Sequence, residues 1–258
     1  MSTQLPIILS IETSSERASA ALLVGQHLTQ HHTDGVTSHS HAILPMVQAL
    51  LSDAGLCLAD CDAIAYGEGP GSFTGVRTAC GVVQGMAYGA DLPVIPVITL
   101  LAMAEACRRA TGATHIVTAL DARMGEVYWA HYRYNVSEAG TGGWHTESAP
   151  ALCAPAELAL ALALLPDVQL AGNGFLAYPT QFCLSSAVFA AVYPGVPEAG
   201  AVAWLAESDL KAGRTIPAEQ AQPLYLRNKI AMTTAERQHM TAQKLDQKTA
   251  QKTENTQL

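Results

Sequence analysis

The chain is poor in basic residues. Only 14 lysines and arginines stand against 22 acidic residues in 258 positions, which gives a formal net charge of -8 at neutral pH. Proteins that bind nucleic acid unaided generally need a basic face. The sequence therefore argues against unaided binding of nucleic acid, and if RNA is involved we expect a partner to make most of the contacts with it.

Long apolar runs and paired cysteine motifs are also missing. No apolar stretch reaches the length needed to cross a membrane, and the first residues lack the basic-then-apolar order of a signal peptide. The six cysteines are scattered without a Cys-x-x-Cys pair, which argues against a zinc site. We therefore expect a cytoplasmic protein whose thiols are reduced and mostly pack as small hydrophobic side chains.

What is present is a repeated α/β pattern. In Ile7–Val24 an apolar strand ends in an acid, Glu12, and a hairpin follows. The same order recurs in Ile116–Tyr134, where the acid is Asp121. The segment His27–Thr33 predicts a third strand of a meander after the first hairpin. Two such units predict a duplicated α/β architecture.

The rest of the pattern predicts the division into domains. Residues 1–105 are expected to form a first α/β lobe, and residues 106–197 a second, smaller one. A helix at about 198–213 is expected to return to the first lobe. Residues 231–258 are polar and are predicted to be a disordered tail.

Apolar spacing and breaker residues predict the remaining elements. Helices are predicted at Ser40–Ala54, at Thr74–Ala87, from a Thr99 cap to about Ala110, at Ala156–Leu165 and at Glu198–Lys211. Short buried strands are predicted at Ala63–Tyr66, Pro93–Val97 and Val168–Ala171, and a polar loop at Asn135–Pro150.

The segment Tyr66–Arg77 carries four glycines and a proline between a strand and a helix. Glycine allows close backbone approach, and a helix N-terminus favours an anion, so the segment could cradle a phosphate or form a tight turn. No Gly-Lys-Ser/Thr follows, and the order is not Gly-x-Gly-x-x-Gly. We favour an architectural turn that starts the next helix, with Ser72 or Thr74 as its cap.

That helix carries Gly81, Gly85 and Gly89 at steps of four residues. Each glycine lowers helix stability by roughly 1 kcal/mol relative to alanine. Their repetition on one face predicts that another helix or backbone packs closely there. We favour internal packing for part of the face, and a protein–protein interface stays open for the rest.

Several residues invite a catalytic or metal-binding interpretation that the pattern does not support. His39 and His41 stand two apart, so on a helix they point to different sides, and we interpret them as polar residues at a helix start. Ser14, Ser72 and Ser186 lack the Gly-x-Ser-x-Gly elbow of a serine hydrolase.

Charged residues at the predicted turns have both a structural and a functional interpretation. Glu12, Asp121 and Arg123 follow strands, where an acid can simply accept the N–H bonds of a turn. A remnant of a nucleotide cleft is the alternative. Arg77 is expected to pair with Glu68 or Asp62, with a contact to a partner as the alternative.

Several stretches in order from residue 7 to about 230 carry a resemblance to a known family. They are Ile11-Glu12-Thr13-Ser14, His39-Ser40-x-x-x-Leu44-Pro45-Met46, Gly69-Pro70-Gly71-Ser72-Phe73-Thr74-Gly75-Val76-Arg77, Pro93-x-x-Pro96-Val97, Leu120-Asp121-Ala122-Arg123-Met124-x-Glu126-Val127-Tyr128 and Pro223-x-Tyr225-Leu226-Arg227. Together they resemble the TsaB family, also called YeaZ, of bacterial tRNA threonylcarbamoyladenosine (t6A) biosynthesis. Glu12 is a departure, since many members carry aspartate there.

The resemblance implies an actin-like ATPase fold (the ASKHA, ribonuclease-H-like superfamily) with two related α/β lobes. In active members of that superfamily a nucleotide lies between the lobes, near the acid after the first strand. The resemblance thus marks Glu12, Thr13, Ser14 and Asp121 as a nucleotide-cleft remnant.

The resemblance also implies partners. TsaD, the catalytic paralogue, would form a heterodimer with this chain, and with the ATPase TsaE the pair would transfer threonylcarbamoyl from its adenylate to an adenosine of tRNAs that read ANN codons. tRNA would be contacted only through the complex, and ATP or ADP only at a shared interface. Homodimerisation of the isolated chain stays open. The expected partner interface comprises His41, Leu44, Val47, Gly75, Arg77, Gly81 and Gly85.

The catalytic paralogue carries His-x-x-x-His on a helix, and two histidines four apart on one helix face can hold a metal. The corresponding positions here fall at about Thr99 and Met103. We therefore expect no metal site, no cofactor and no catalytic residue in this chain, and predict a non-catalytic scaffold subunit. The alternatives are a small-molecule kinase of the same superfold and a metallopeptidase-like protein of the M22 type.

Overall fold

The N-terminal part of the chain folds into a mixed five-stranded sheet. The computed structural model describes residues 5–35, 39–136, 142–165 and 167–227. The strands are β1 (Ile7–Glu12), β2 (Arg17–Val24), β3 (His27–Asp34), β4 (Ala63–Gly69) and β5 (Val94–Ile98), in the order β3-β2-β1-β4-β5. β1 pairs antiparallel with β2, which pairs antiparallel with β3, so the predicted meander is confirmed. β4 and β5 run parallel to β1.

Two helices, α1 (His39–Ala54) and α2 (Phe73–Ala90), pack on this sheet. Their apolar residues at helical spacing, including Ile43 and Val83, belong to the same buried cluster as Leu9 and Ile11 of β1. Gly55 has a φ of +66° directly after α1. It therefore ends that helix, as predicted.

A second, four-stranded sheet follows. Its strands are β6 (His115–Asp121), β7 (Val127–Val136), β8 (Gly142–Cys153) and β9 (Gln169–Ala171), in the order β8-β7-β6-β9. β6 pairs antiparallel with β7 and parallel with β9. This repeats the way in which β1 pairs antiparallel with β2 and parallel with β4.

The strand β8 corrects the prediction of a polar loop at Asn135–Pro150. It pairs antiparallel with β7 over most of its length, with register shifts near His131. β8 lies at the edge of the sheet and several of its residues are exposed, including Thr146 and Glu147. An exposed edge strand does not need apolar residues, so its composition resembles that of a loop.

The remaining helices surround the two sheets. They are α3 (Thr99–Thr111), α4 (Pro155–Leu162), α5 (Asn173–Ala177), α6 (Pro179–Phe182), α7 (Ser186–Ala190) and α8 (Ala199–Lys211). The predicted helix at about 198–213 is thus present, and its residues Val202 and Ala206 pack with Ile8 of β1 and Leu23 of β2.

Helix α3 contributes to the cores of both sheets. Ala102 belongs to the cluster beneath the first sheet. Leu100 and Met103 pack with Ile116 and Tyr132 of the second sheet.

All these elements lie in one compact unit, Met1–Leu226. The division of this unit into lobes at residues 1–105 and 106–197 stays a prediction. The second unit, Arg227–Leu258, is described only at Arg227, so the predicted disorder of residues 231–258 lies outside the described residues. In the described part of the chain, no helix combines the length and the apolar character needed to cross a membrane.

Candidate functional site

Glu12, the last residue of β1, is fully buried. Its Oε1 accepts a hydrogen bond of 2.6 Å from the backbone N–H of Ser14, and its Oε2 accepts one of 3.1 Å from the hydroxyl of Thr99. Burial raises the pKa of Glu12 above its ordinary value because the charged form loses its hydration, and the hydrogen bonds oppose this shift only in part. The carboxylate is therefore held by neutral donors inside the protein.

Thr99 connects Glu12 to the glycine-rich segment. Besides donating to the carboxylate, its Oγ1 accepts a hydrogen bond of 3.2 Å from the backbone N–H of Gly69. Thr99 is the first residue of α3, and Ile98 occupies the N-cap position without a side-chain cap bond. The prediction that Thr99 caps this helix is therefore wrong, because its hydroxyl serves the tertiary contact instead.

The glycines of Tyr66–Arg77 allow the backbone of this segment to lie against the end of β1. A Cβ atom on Gly67 would stand 2.6 Å from the Cδ atom of Glu12, and one on Gly75 would stand 2.9 Å from the carbonyl carbon of Thr13. Real Cβ atoms essentially never approach another heavy atom within 3.0 Å. Gly75 therefore requires glycine because the backbone of Thr13 would have to move, whereas a side chain at position 67 would displace the buried carboxylate of Glu12.

Hydrogen bonds fix the same segment at the start of α2. The backbone N–H of Ser72 donates to the carbonyl of Ser14 at 2.7 Å, and the hydroxyl of Thr13 donates to the carbonyl of Gly75 at 2.7 Å. Ser72 is the N-cap of α2, with its Oγ 3.5 Å from the N–H of Gly75. The prediction of a turn that starts a helix with Ser72 as a possible cap is confirmed.

Asp121 stands at the end of β6 and has its own partners. Its Oδ1 accepts hydrogen bonds of 2.8 Å from the backbone N–H of Arg123 and 2.8 Å from the hydroxyl of Tyr178. The guanidinium of Arg123 lies 3.3 Å from Asp121 Oδ2 and 2.5 Å from Glu16 Oε1. Arg123 thus links the turn after β6 to the turn after β1.

The residues predicted as a nucleotide-cleft remnant therefore fall into two groups. Glu12, Thr13 and Ser14 lie together on the glycine-rich segment and are almost completely buried. Asp121 lies in the second sheet beside Arg123. The cleft interpretation stays a prediction, and the Glu12 carboxylate itself has no surface open to a ligand.

Thr99 and Met103, the two positions at which the resemblance leads us to expect no metal-binding histidines, are also buried. Thr99 binds Glu12, and Met103 packs in the core next to the second sheet. Within the described ranges, no group of three or more His, Cys, Asp or Glu residues is arranged to hold a metal ion.

Several residues of α1 and α2 are exposed, and they include His41, Leu44, Gly81, Gly85 and Tyr88. We call these five residues the α1–α2 surface. Leu44 is 51% exposed and Tyr88 is 80% exposed. A Cβ on Gly81 or Gly85 would meet no other atom within 4 Å, and the same holds for Gly89. The favoured interpretation, in which part of this glycine face packs inside the chain, is therefore wrong, and the alternative of a protein–protein interface stays a prediction.

Two of the residues predicted for the partner interface lie inside the chain. Val47 is only 5% exposed and packs with Leu50 in the core. Gly75 is buried against the backbone of Thr13. In this structure both residues are buried and are not part of the α1–α2 surface.

Arg77, also predicted for the interface, is exposed and binds aromatic residues instead of the expected Glu68 or Asp62. Its Cζ lies 3.7 Å from the ring centroid of Phe73, and its Nε donates to the hydroxyl of Tyr225 at 2.6 Å. Tyr225 belongs to the sequence motif at Pro223–Arg227. That motif does not predict the contact, because Arg77 and Tyr225 are far apart in the chain.

Comparisons with known proteins identify the family. Residues 30–235 match the family model described as TsaD, tRNA N6-adenosine threonylcarbamoyltransferase. The tRNA threonylcarbamoyladenosine biosynthesis protein TsaB of Escherichia coli (strain K12) is 40% identical over 225 residues, which cover 87% of this chain and 96% of that protein. The TsaB protein of Haemophilus influenzae is 36% identical over 226 residues, which cover 86% of this chain and 94% of that protein.

A solved structure gives the same result. The crystal structure of a Pseudomonas aeruginosa protein, described as uncharacterized and similar to peptidase YEAZ, is 35% identical and superposes with a TM-score of 0.75. The match covers 86% of this chain and 100% of that one. The chain therefore belongs to the TsaB (YeaZ) family.

Proposed function

We propose that this chain is a non-catalytic subunit of the machinery that makes t6A in bacterial tRNA. In this role it binds and activates the catalytic subunit TsaD, together with TsaE. The pathway is supported by the TsaB relatives, which are named for t6A biosynthesis. The repeated pairing pattern of the two sheets supports a duplicated, two-lobed actin-like fold.

The hydrogen bond between Glu12 and Thr99 carries the proposal that the subunit is non-catalytic. In active members of the superfamily the corresponding acid lies near the phosphates of a nucleotide, and the catalytic paralogue has a metal-binding histidine near the position of Thr99. In this chain the two side chains bind each other and are fully buried. A buried carboxylate satisfied by neutral donors is poorly placed to serve a nucleotide or a metal ion.

The α1–α2 surface is the proposed site for TsaD. It combines a large exposed aromatic residue, Tyr88, and an exposed leucine, Leu44, with the flat glycine positions Gly81 and Gly85. Exposed apolar groups of this kind are typical of protein–protein interfaces. Small residues allow a partner helix to approach the backbone closely.

The net charge of -8 supports the proposal that the partners make the tRNA contacts. We further propose that any ATP or ADP binds at an interface shared with a partner and that the complex acts in the cytoplasm. In the absence of TsaD, the same surface is available for a homodimer.

Complex formation with TsaD tests the proposal. The purified full-length chain and TsaD of the same organism are mixed and analysed by size-exclusion chromatography with light scattering. The expected result is a stable complex that contains both chains. Two separate peaks at micromolar concentration would contradict the proposal.

A further inference from the structure

A cavity of about 550 Å³ lies between α3 and α8. Its lining includes Arg108 and Arg109 of α3, Trp144 of β8 and Trp204 of α8. This volume is typical of small-molecule sites in proteins. Among the described residues, none from α1 or α2 lines the cavity, so it is separate from the α1–α2 surface.

Glu105 organises one end of this cavity. Its carboxylate accepts hydrogen bonds from Nε and Nη2 of Arg108 at 3.0 and 2.8 Å, from Nε of Arg109 at 2.6 Å and from the indole N–H of Trp144 at 2.9 Å. Burial acts to raise the pKa of Glu105, but these donors outweigh it and the pKa lies below its ordinary value. The ionised carboxylate therefore holds two guanidinium groups side by side.

The two guanidinium groups carry more positive charge than Glu105 can compensate. The other acids of the lining do not supply the missing charge. Glu207 pairs with Lys211 at 2.7 Å, and Asp209 pairs with Arg214 at 2.6 Å. Glu68 forms no ion pair with either arginine in the part of the chain that the structure describes.

The guanidinium groups also retain donor capacity. Each has five N–H groups, of which Glu105 engages two on Arg108 and one on Arg109. Among the described residues no other carboxylate or carbonyl accepts a hydrogen bond from them. The side chain of Arg109 is 42% exposed, so its free N–H groups can reach a ligand.

Aromatic rings fix the orientation of both groups. The Cζ of Arg108 lies 4.1 Å from the ring centroid of Tyr134, and the Cζ of Arg109 lies 4.0 Å from that of Trp204. Cation–π contacts at these distances favour one placement of each guanidinium. The donors are thus arranged before a ligand binds, which lowers the entropy lost on binding.

The composition of the lining defines the class of ligand. Arginine groups bind carboxylate and phosphate oxygens in a fixed planar geometry. Tryptophan rings offer flat apolar area. The net charge of -8 disfavours a polyanion such as a nucleic acid backbone, and the two arginines of the lining repel a metal cation.

We propose that this cavity binds a small, flat organic anion. Arg108 and Arg109 hold its carboxylate or phosphate, and its ring packs against the parts of Trp144 and Trp204 that are still exposed, since both side chains are only partly buried. This inference goes beyond the proposed function and does not depend on the binding of TsaD.

Calorimetric titration of the purified full-length chain tests the proposal. The probes are adenosine monophosphate, which offers a phosphate, and indole-3-acetate, which offers a carboxylate. Adenosine and indole-3-ethanol are matched neutral controls. We expect at least one anion to bind about tenfold or more tightly than its neutral control, as charged hydrogen bonds predict.

Two variants test whether the anion binds in this cavity. Arg109→Met keeps the length of the side chain and is expected to weaken binding of that anion about tenfold to a hundredfold. Arg133→Met removes an arginine that pairs with Glu147 at 2.9 Å and lies outside the lining of the cavity, so its effect is expected to stay below about threefold. Circular dichroism and thermal melting establish that both variants are folded.

The titrations distinguish a site for phosphate from a site for carboxylate. Binding of the phosphate probe alone, the carboxylate probe alone or both supports the proposal and names the preferred group. Failure of both anions to bind at millimolar concentration overturns it. So does equal affinity for the neutral controls, or unchanged affinity in a folded Arg109→Met variant.

Discussion

The carboxylate of Glu12 lies directly against Gly67, in the space that a side chain at position 67 would occupy. A Cβ there would stand 2.6 Å from Glu12 Cδ, which is closer than real Cβ atoms come to other heavy atoms. The acid at the end of β1 fits because β4 has a glycine beside it. The glycine-rich segment is therefore matched to the chain's own buried acid.

Gly67→Ala is expected to destabilise the protein. The added methyl group collides with Glu12 in a packed interior, which typically lowers the free energy of unfolding by about 1 to 3 kcal/mol. Urea unfolding of both proteins measures the difference. In the double variant Glu12→Ala/Gly67→Ala part of this loss should be recovered, because the colliding side chain is gone.

Gly81→Ala is the matched control for that substitution. Gly81 is exposed in α2, and a Cβ there would meet no atom within 4 Å. Alanine should therefore raise the free energy of unfolding by up to about 1 kcal/mol. Similar destabilisation by both substitutions would refute the packing explanation.

Glu12→Gln should change the pH dependence of stability. In the unfolded chain Glu12 ionises near its ordinary pKa of 4.5, whereas burial raises its pKa in the folded protein. As pH rises through this interval the unfolded state releases its proton first, so the folded wild type loses stability. Glutamine does not titrate, and the variant avoids this loss.

The difference in free energy of unfolding, variant minus wild type, should therefore increase from about pH 4 upward and become constant above the folded pKa. Urea unfolding at several pH values between about 4 and 8 gives this difference, in which the titration of all other groups cancels. A difference that decreases with pH would show that Glu12 is ionised more easily in the folded protein.

Thr99→Val should destabilise the protein more than Thr99→Ser. Valine removes the donor to Glu12 and the acceptor for the N–H of Gly69. Loss of these bonds lowers the free energy of unfolding by about 2 to 4 kcal/mol. Serine keeps the hydroxyl and loses one methyl group, a change of about 1 kcal/mol. Equal losses in thermal or urea unfolding would mean that packing, not hydrogen bonding, fixes Thr99.

Leu44→Glu should weaken binding to TsaD. Leu44 is 51% exposed on the α1–α2 surface, so the substitution leaves the fold intact but places a charge in the proposed interface. We expect the Kd to rise about tenfold or more, as for other charges introduced into apolar contacts. The measurement is calorimetric titration with TsaD.

Leu160→Glu is the control for the interface. Leu160 is 74% exposed on α4 and lies outside the α1–α2 surface. Its substitution should leave the Kd unchanged. If Leu44→Glu binds TsaD as well as the wild type does, the interface lies elsewhere.

Much of the fold could be predicted from local sequence. The meander β1–β3 and the helix α1 follow from apolar periodicity and from Gly55 as a helix end. β8 could not be predicted in this way because an exposed edge strand shows no apolar period. Its place is set by pairing with β7, which is a tertiary interaction.

The contacts of the candidate site could be predicted less well from the sequence. Threonine at a helix start predicts a cap, yet Thr99 binds Glu12, which lies 87 positions away. The glycine repeat of α2 suggested close packing, but Gly81 and Gly85 face open space. The sequence shows where glycine or a polar residue interrupts a regular pattern. It does not show which residue each of these positions contacts, because that depends on how distant segments of the chain pack together.

Reconstitution of tRNA modification tests the central claim most directly. Unmodified tRNA is incubated with ATP, threonylcarbamoyl adenylate and TsaE, and with TsaD, this chain or both, and t6A is quantified by mass spectrometry of the nucleosides. We predict t6A formation only when both TsaD and this chain are present. Formation of t6A by this chain without TsaD would contradict its assignment as a non-catalytic subunit.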